Sequence, residues 1–330
     1  MLDFLEYPET TYPSCAAARA LTGDKNFSNM NIRIGDVSVD RLGFIGLGVM
    51  GENMCRHLAS KAGLPVIGFD IRQEPLERLA TYGVQCAESA TDLAARVQTV
   101  FLCLASDKQV EQACFGTDGI ARPGSSVKLV VDCGTTSVAT TRELSARTRE
   151  QGIIWVDAPI ARGRQGARDG TLSFMVGARR DVFDGLVPLL STMGTDIIYC
   201  GDVSSGQIVK ILNNKVVLQQ VHALAEALAI GRNLGVDGRL LFDAFAKGSA
   251  DCKALHAQGM NHLLTDSYPP QAFSTEYARK DIGHAIRLAE AAETDAALAL
   301  ATCDLLDRSL EAGYKDDYYP IFIKLLEQPR

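Results

Sequence analysis

A lysine and an asparagine one helical turn apart are the residues of this sequence best suited to proton transfer. In the stretch IVKILNNKVVLQQV, Lys210, Asn214, Val217 and Val221 share one face at helical spacing, whereas Lys215 is interpreted as a surface lysine. Burial lowers the pKa of a lysine, which then accepts and gives protons near neutral pH. The alternative is a lysine whose stem covers apolar surface while its ammonium reaches water, and the residues leave both interpretations open.

Three arginines lie close together in a loop between two apolar runs. The stretch VDAPIARGRQGARDGTLSFMVG, residues 156–177, contains Arg162, Arg164 and Arg168 among glycines. Loop charges are usually solvated, so surface charge is the ordinary interpretation and anion binding is the functional one. Because the chain has a net charge of −7, an anionic substrate would need its own local cations.

A glycine motif in the stretch GFIGLGVMG has the pattern of a phosphate-binding turn. Gly46, Gly48 and Gly51 form G-x-G-x-x-G between an apolar run and a helical pattern. In such a turn the first glycine permits the tight bend, the second admits a pyrophosphate, and the third allows close packing of helix on strand. Asp70 ends the next apolar run, where a carboxylate can accept hydrogen bonds from ribose hydroxyls. Together these features predict a bound dinucleotide.

The acid at the end of the second strand also bears on the choice of cofactor. A carboxylate such as that of Asp70 repels the 2′-phosphate of NADP, which favours NAD. Arg72, two residues later, would soften this preference. NAD is therefore the expected cofactor, with NADP as the alternative.

Two blocks of different periodicity must position these residues. Short apolar runs alternate with helical patterns from residue 41 to about residue 203, and helical patterns alone follow, with Asp237 and Thr294 as expected N-caps. The sequence thus predicts an α/β Rossmann domain followed by an all-α helical domain. We expect a poorly ordered extension or an over-extended start at residues 1–40, an NAD-binding domain at 41–202, and a substrate and dimerisation domain at 203–330.

Composition and charge exclude several other classes of protein. No polybasic run stands out, which disfavours nucleic-acid binding, and no apolar stretch is long enough for a transmembrane helix. Residues 1–40 lack the basic start and apolar segment of a signal peptide. The nine cysteines include no C-x-x-C pair, and the five histidines show no metal-ligand spacing. We therefore expect a cytoplasmic protein without membrane, nucleic-acid or metal partners.

Five ordered motifs resemble those of the β-hydroxyacid dehydrogenase family, which includes 3-hydroxyisobutyrate dehydrogenases, tartronate semialdehyde reductases and sulfolactaldehyde reductases. The resemblance extends over about residues 41 to 325. The motifs are FIGLGVMG, DCGTTSV, DAPIARGRQGARDGTL, VKILNN and FSTEYARKD. The set is specific for the family but much less specific for the substrate.

The resemblance implies an active site in the cleft between the two domains, with Lys210 as the catalytic acid and base. It implies substrate-binding roles for Arg162, Gly163, Thr135, Asn213, Asn214, Phe273 and Asp281. It implies cofactor-binding roles for Gly46, Leu47, Gly48, Val49, Met50, Gly51, Asp70, Ile71, Arg72, Leu104, Ala105, Thr135 and Lys280. Family members are commonly dimers or tetramers, so a homodimer or homotetramer is expected.

This chain departs from the family pattern in its anion-binding segment. Where the family usually has Ser-Gly-Gly, it has Ala161, Arg162 and Gly163, and Gly134 replaces a common serine. Sulfolactaldehyde reductases also carry arginine in this block, although their additional serine on the lysine helix is Val217 here. We expect Arg162 to bind the substrate anion, and Arg164 and Arg168 to face solvent.

These residues favour an NAD(P)-dependent oxidoreductase of the 3-hydroxyacid dehydrogenase type. Hydride would pass between nicotinamide and a small 3-hydroxy acid or semialdehyde that carries a carboxylate. A sulfonate reductase of the sulfolactaldehyde type is the first alternative. An imine reductase or a non-catalytic dinucleotide-binding module would typically lack the lysine, and Lys210 argues against both.

Overall fold

The computed structural model describes residues 32–270 and 272–327. The chain divides into two compact units, with the division between Gln207 and Ile208. The first unit contains a hairpin and a nine-stranded sheet with helices on its faces. The second is helical. The predicted α/β Rossmann fold followed by a helical domain is confirmed.

The large sheet has the strand order of a doubly wound dinucleotide-binding fold. The strands are β1 (Ile32–Ile34), β2 (Val37–Val39), β3 (Leu42–Ile45), β4 (Val66–Phe69), β5 (Gln85–Cys86), β6 (Thr99–Leu102), β7 (Leu129–Asp132), β8 (Ile154–Asp157), β9 (Ile160–Ala161), β10 (Leu172–Gly177) and β11 (Gly194–Gly201). Their order in the sheet is β11-β10-β8-β7-β6-β3-β4-β5, with β9 paired to β10. The strand order reverses between β3 and β6, and ligands bind at such a switch point.

Helices connect the strands of the first unit and form the described part of the second. They are α1 (Gly51–Lys61), α2 (Gln73–Ala80), α3 (Ala90–Arg96), α4 (Asp107–Phe115), α5 (Val138–Glu150), α6 (Gly163–Asp169), α7 (Arg180–Leu190), α8 (Ser205–Asn233), α9 (Gly238–Phe245), α10 (Thr275–Ala291), α11 (Ala297–Glu311) and α12 (Ile323–Leu326), with a π-helix at Leu255–Leu263 and a 3₁₀-helix at Tyr319–Phe322. Among the residues described, no helix is both long and apolar enough to cross a membrane.

The central strands of the sheet are buried along their whole length. Every residue of β3, β6 and β7 is buried, as expected of parallel strands covered by helices on both faces. Serine side chains at the N-caps of α3, α4 and α5 accept hydrogen bonds from the first turn of each helix. The sheet is not parallel throughout, because β10 runs antiparallel to β8 and β9.

Two local predictions are wrong. Residues 32–39 were expected to be poorly ordered, but they form the β1–β2 hairpin, in which Ile34 and Val39 are fully buried. The rest of the predicted extension, residues 1–31, lies outside the described residues. Thr294 does not cap a helix: its hydroxyl donates to the Ala292 carbonyl, and α11 begins after Ala296 without a side-chain cap. Asp237, by contrast, caps α9 through the amide of Leu240, as predicted.

Candidate functional site

Lys210 is a buried lysine near the start of helix α8. Its side chain lies on the inner face of the helix and the residue is only 8% exposed. Its Nζ donates to Oδ1 of Asn214 at 2.9 Å, one turn further along the same face. The pKa of Lys210 is lowered to about 8, mainly by burial; Asp281 opposes this shift and Lys280 adds to it. A lysine with this pKa exchanges a proton readily near neutral pH.

Asn214 links Lys210 to a buried carboxylate on helix α10. Its Nδ2 donates to Oδ2 of Asp281 at 2.6 Å, and its Oδ1 also accepts from Asn213 at 3.2 Å. A carboxylate only accepts hydrogen bonds, so the direction of the Asn214 amide is determined by its neighbours. Asp281 is fully buried, and the Nζ of Lys280 lies 3.5 Å from its Oδ1. The structure thus brings five predicted site residues together in the second unit.

Phe273 lies in an aromatic cluster of the second unit. Its ring meets those of Tyr277 and Tyr319 edge-on, with centroids 5.5 and 5.4 Å apart. Lys280 packs its ammonium 3.8 Å from the centroid of the Tyr277 ring. Burial lowers the pKa of Lys280, but Tyr277 and Asp281 outweigh it, so the net direction is upward. Lys280 therefore stays charged when Lys210 is neutral.

The glycine turn between β3 and α1 fits a dinucleotide. Gly46 has a φ of 91°, and a Cβ there would lie 2.4 Å from the Cys103 carbonyl oxygen. A Cβ on Gly51 would lie 1.9 Å from the Gly46 carbonyl oxygen. At Gly48 a Cβ would approach nothing nearer than the Arg72 guanidinium, at 4.0 Å. The turn is closed on its inner side and open where a pyrophosphate would lie.

Asp70 is bonded to the glycine turn itself. Its Oδ2 accepts from the Leu47 amide at 2.6 Å, and its Oδ1 accepts from the Arg72 amide at 2.9 Å. The guanidinium of Arg72 donates to the Leu47 carbonyl at 3.3 Å and pairs with Asp70. Ile71 is 92% exposed between them. Each carboxylate oxygen can accept further hydrogen bonds, so ribose binding stays compatible with these contacts.

The remaining predicted cofactor residues lie at the carboxyl ends of β6 and β7 or within the glycine turn. A Cβ on Gly134 would lie 2.7 Å from the Leu104 carbonyl oxygen, which accounts for glycine where a serine is common. Thr135 follows and is 6% exposed. Ala105 is exposed and its amide donates to Gln109. Leu47 is fully buried, Val49 is 47% exposed, and Met50 precedes the first residue of α1.

Arg162 already has partners in its own unit. Its guanidinium donates to the Thr171 carbonyl at 2.9 Å and the Thr195 hydroxyl at 2.7 Å, and it pairs with Asp196 at 2.6 Å. The Thr195 hydroxyl, together with Arg162, holds the pKa of Asp196 below its usual range. Its role in anion binding stays a prediction, and a substrate anion would have to compete with Asp196. Gly163, the next residue, is exposed at the start of α6, and Arg164 in the same turn and Arg168 in the last turn are exposed as well.

Sequence reasoning missed three buried polar residues near the predicted Thr135. Asp132 and Asp157 end the adjacent strands β7 and β8 in register with each other, and both are fully buried. Burial raises the pKa of Asp132 to about 7 and that of Asp157 to about 6. Gln207, on the first turn of α8, is also fully buried. The signal was present, since an aspartate ends each of the apolar runs VVD and WVD.

No group of acids, cysteines and histidines suited to a metal ion occurs among residues 32–270 and 272–327. None of the eight cysteines within those ranges forms a disulfide. His256 pairs with Asp251, and His262 contacts the Ser267 carbonyl. Both histidines thus contact residues that are close to them in sequence.

Comparisons with known proteins agree with this geometry. The family described as the NAD binding domain of 6-phosphogluconate dehydrogenase matches residues 41–201. The family described as the NAD-binding domain of NADP-dependent 3-hydroxyisobutyrate dehydrogenase matches residues 204–326. A solved structure of 3-hydroxyisobutyrate dehydrogenase from Mycobacterium tuberculosis with L-serine is similar, with 31% identity and a TM-score of 0.78, covering 88% of this chain and 99% of that one.

Curated relatives extend the same similarity over most of the chain. The mitochondrial 3-hydroxyisobutyrate dehydrogenase of Homo sapiens is 30% identical over 293 residues, 87% of each chain. The 2-(hydroxymethyl)glutarate dehydrogenase of Eubacterium barkeri is 29% identical over 288 residues, 87% of this chain and 95% of its own. Both similarities span the glycine turn and the lysine helix in one chain. The chain belongs to the β-hydroxyacid dehydrogenase family.

Proposed function

We propose that this protein is an NAD-dependent dehydrogenase of small 3-hydroxy acids that carry a carboxylate, of the 3-hydroxyisobutyrate type. The observation that carries the proposal is the buried Lys210, bonded to Asn214 and held at a pKa of about 8. The names of the relatives support a hydroxy-acid substrate. The reverse reaction would reduce the corresponding semialdehyde.

The proposed chemistry assigns the proton to Lys210. In oxidation, neutral Lys210 accepts the hydroxyl proton as the carbonyl forms, and the hydride leaves the same carbon. In reduction, protonated Lys210 donates to the developing alkoxide oxygen. Asn214 keeps Nζ oriented through Oδ1 and retains one amide hydrogen that can bind the substrate oxygen, since Asp281 takes the other. Orientation and preorganised charge would supply most of the rate gain.

The cofactor would be held by the first unit. Gly46, Gly48 and Gly51 would admit the pyrophosphate, and Asp70 would accept from the ribose hydroxyls. When bound, the nicotinamide supplies the hydride acceptor for oxidation and the hydride donor for reduction. We propose NAD rather than NADP because Asp70 would repel a 2′-phosphate. The ion pair of Arg72 with Asp70 supports this, since it leaves less positive charge for that phosphate.

The substrate anion is proposed to bind at Arg162 and the backbone amides next to it. A guanidinium can bind a carboxylate through two hydrogen bonds. The contact with Asp196 means that an incoming carboxylate must share or displace that partner. A sulfonate would face the same competition, so the structure offers no observation that favours the sulfonate alternative.

The proposed domain assignment is 41–202 for NAD binding and 203–330 for substrate binding and dimerisation. An apolar stripe on helix α8 supports a homo-oligomer. We define it as Val209, Leu212, Val216 and Ile230 of the helix, together with Leu234 directly after its last residue, all exposed by 40% to 78%. Their spacing places them along one side of the helix. A second copy of this chain is the proposed partner. The lack of disulfides among the eight described cysteines supports a reducing, cytoplasmic location.

Steady-state kinetics on a panel of substrates test the proposal. The panel contains 3-hydroxy acids with NAD, semialdehydes with NADH, and one sulfonated aldehyde. We expect turnover of a carboxylate member, and a kcat lower by about 10²- to 10⁴-fold in Lys210→Met. In oxidation the kcat of the wild type should rise with pH through about 8, because neutral Lys210 is the active form.

Lys215→Met is the matched control, since Lys215 lies on the same helix and donates to Gln219 at 3.2 Å. It should keep the kcat of the wild type, and both variants should bind NADH as the wild type does. Turnover of Lys210→Met at the rate of the wild type would refute the assignment. Turnover of the sulfonate alone would move the proposal to the sulfonate alternative.

A further inference from the structure

The side chain of Gln207 holds the backbone on both sides of Thr135. Its Nε2 donates to the Gly134 carbonyl at 2.9 Å, and its Oε1 accepts from the Thr136 amide at 3.2 Å. These are the two peptide groups that flank Thr135. A carbonyl only accepts and an amide N–H only donates, so the carboxamide is bound in one orientation. The carboxamide of Gln207 thus offers this segment one donor and one acceptor, as the backbone of a neighbouring strand would.

The backbone of Gln207 is itself anchored. Its amide donates to Oδ2 of Asp157 at 2.9 Å, and the Ser204 amide donates to Oδ1 of the same carboxylate at 2.7 Å. Asp157 therefore caps helix α8 from the end of strand β8. Gly206 packs so closely that a Cβ there would lie 2.2 Å from the Met175 carbonyl oxygen. The first turn of α8 has little freedom, so the Gln207 side chain begins from a fixed point.

The segment around Thr135 is also held by Asp132. Its Oδ1 accepts from the Gly134 amide at 3.0 Å, and its Oδ2 accepts from the Thr136 hydroxyl at 2.7 Å. Gln207 and Asp132 thus bind the two residues that flank Thr135, and all of these contacts lie within the first unit. Lys210 follows Gln207 by one turn on helix α8.

We propose that Gln207 is a positioning residue, which holds the backbone of Thr135 in place from the first turn of the helix that carries Lys210. The inference rests on the proposed function and on the role that the family resemblance implies for Thr135, which is to bind both the cofactor and the substrate. Gln207 itself touches neither. It acts through the two peptide groups that it binds, and its loss would let Thr135 move.

The variant Gln207→Glu separates this role from simple core packing. A protonated glutamic acid matches glutamine in shape, and its hydroxyl can donate to the Gly134 carbonyl while its carbonyl accepts from Thr136. Once ionised, it offers no donor to Gly134. It also adds charge near Asp132 and Asp157, with Asp107 close to Asp132. The ratio of its semialdehyde-reduction kcat to that of the wild type should approach one near pH 5.5 and fall at least tenfold by pH 8.5.

Two further variants complete the comparison. Gln207→Leu should lower kcat at least tenfold at every pH, because it can neither donate nor accept. Gln219→Leu is the matched control on the same helix, and it should match the wild type throughout. The affinity for NADH, followed by its fluorescence, should weaken in the same pH-dependent manner in Gln207→Glu and at all pH values in Gln207→Leu.

The two readouts distinguish failure of this inference from failure of the proposed function. If the wild type binds NADH but turns over no member of the panel, the proposed function fails and the NADH titration still tests Gln207. If Gln207→Glu shows a constant ratio in both readouts, the positioning role is wrong. Should Gln207→Leu not fold, the pH dependence of Gln207→Glu decides alone.

Discussion

Arg162 has a backbone conformation that an arginine rarely adopts. Its φ is 84°, in the left-handed region, and Gly163 follows with a φ of 59°. A non-glycine residue there costs about 1–2 kcal/mol. The contacts of the guanidinium with Thr171, Thr195 and Asp196 offset this cost. The side chain therefore has a structural role in the first unit, whatever it does for a substrate.

The anion-binding role of Arg162 predicts opposite effects for the two partners of its ion pair. Arg162→Ala should raise the KM for the carboxylate substrate at least tenfold, because the bidentate contact is lost. Asp196→Asn should lower that KM by about two- to fivefold, since the competing charge is removed but the side chain keeps its size. Steady-state kinetics at constant NAD concentration measure both. A KM unchanged in both variants would contradict the anion-binding role, and Arg162 would then have only its structural contacts.

Helix α8 gives the proposed oligomer its most direct test. Glutamate at position 216 or 230 would place a charge in the apolar stripe, and burying an unpaired charge in an interface is costly. We therefore expect Val216→Glu and Ile230→Glu to shift the protein to a smaller species in light scattering coupled to size-exclusion chromatography. Leu298→Glu, on α11 and outside the stripe, is the control. A wild type that is monomeric at micromolar concentration would contradict the proposal.

Long periodic elements were predictable and locally irregular ones were not. Helix α8 ends near Gly235, whose φ is 81°, as the periodicity and the glycine indicated. The π-helix Leu255–Leu263 had no such signal, because its wider turns depend on packing. In particular, its Gly259 faces Phe242, where a Cβ would lie 3.1 Å from the ring. The β1–β2 hairpin is likewise short and gains its stability from packing against α7.

The stability of the whole molecule depends on pH because some of its acidic side chains are buried. Because the folded protein raises the pKa of Asp132 to about 7, its contribution to stability is full at low pH and is lost as pH rises through 7. In the variant Asp132→Asn the side chain does not titrate, so this loss of stability with rising pH does not occur. We expect its free energy of unfolding, relative to the wild type, to increase by about 1–3 kcal/mol between pH 5 and pH 8.

Urea denaturation at the two pH values measures the difference. Asp181→Asn is the control, because Arg179 lowers the pKa of that exposed carboxyl and the trend should not have the same sign. If the Asp132 variant loses stability relative to the wild type as pH rises, then the carboxyl is not protonated in the folded protein near neutral pH.

The candidate site was predictable where its parts are close in sequence. The glycine turn and the pair Lys210–Asn214 could be recognised from spacing alone. The contacts of Asp157 and Gln207 could not, because they depend on the alignment of β7 with β8 and on where α8 begins. Asp196 was missed for the same reason, since it meets Arg162 through the pairing of β10 with both β9 and β11.

The contacts of Asp70 limit how the coenzyme preference of the protein can be redesigned. The same carboxylate that would bind the ribose also ties the Leu47 amide to the Arg72 amide. Replacing it to admit NADP would therefore loosen the turn that must hold the pyrophosphate, and both cofactors would bind less well. A change of coenzyme preference is better sought at Ile71, whose side chain is almost fully exposed.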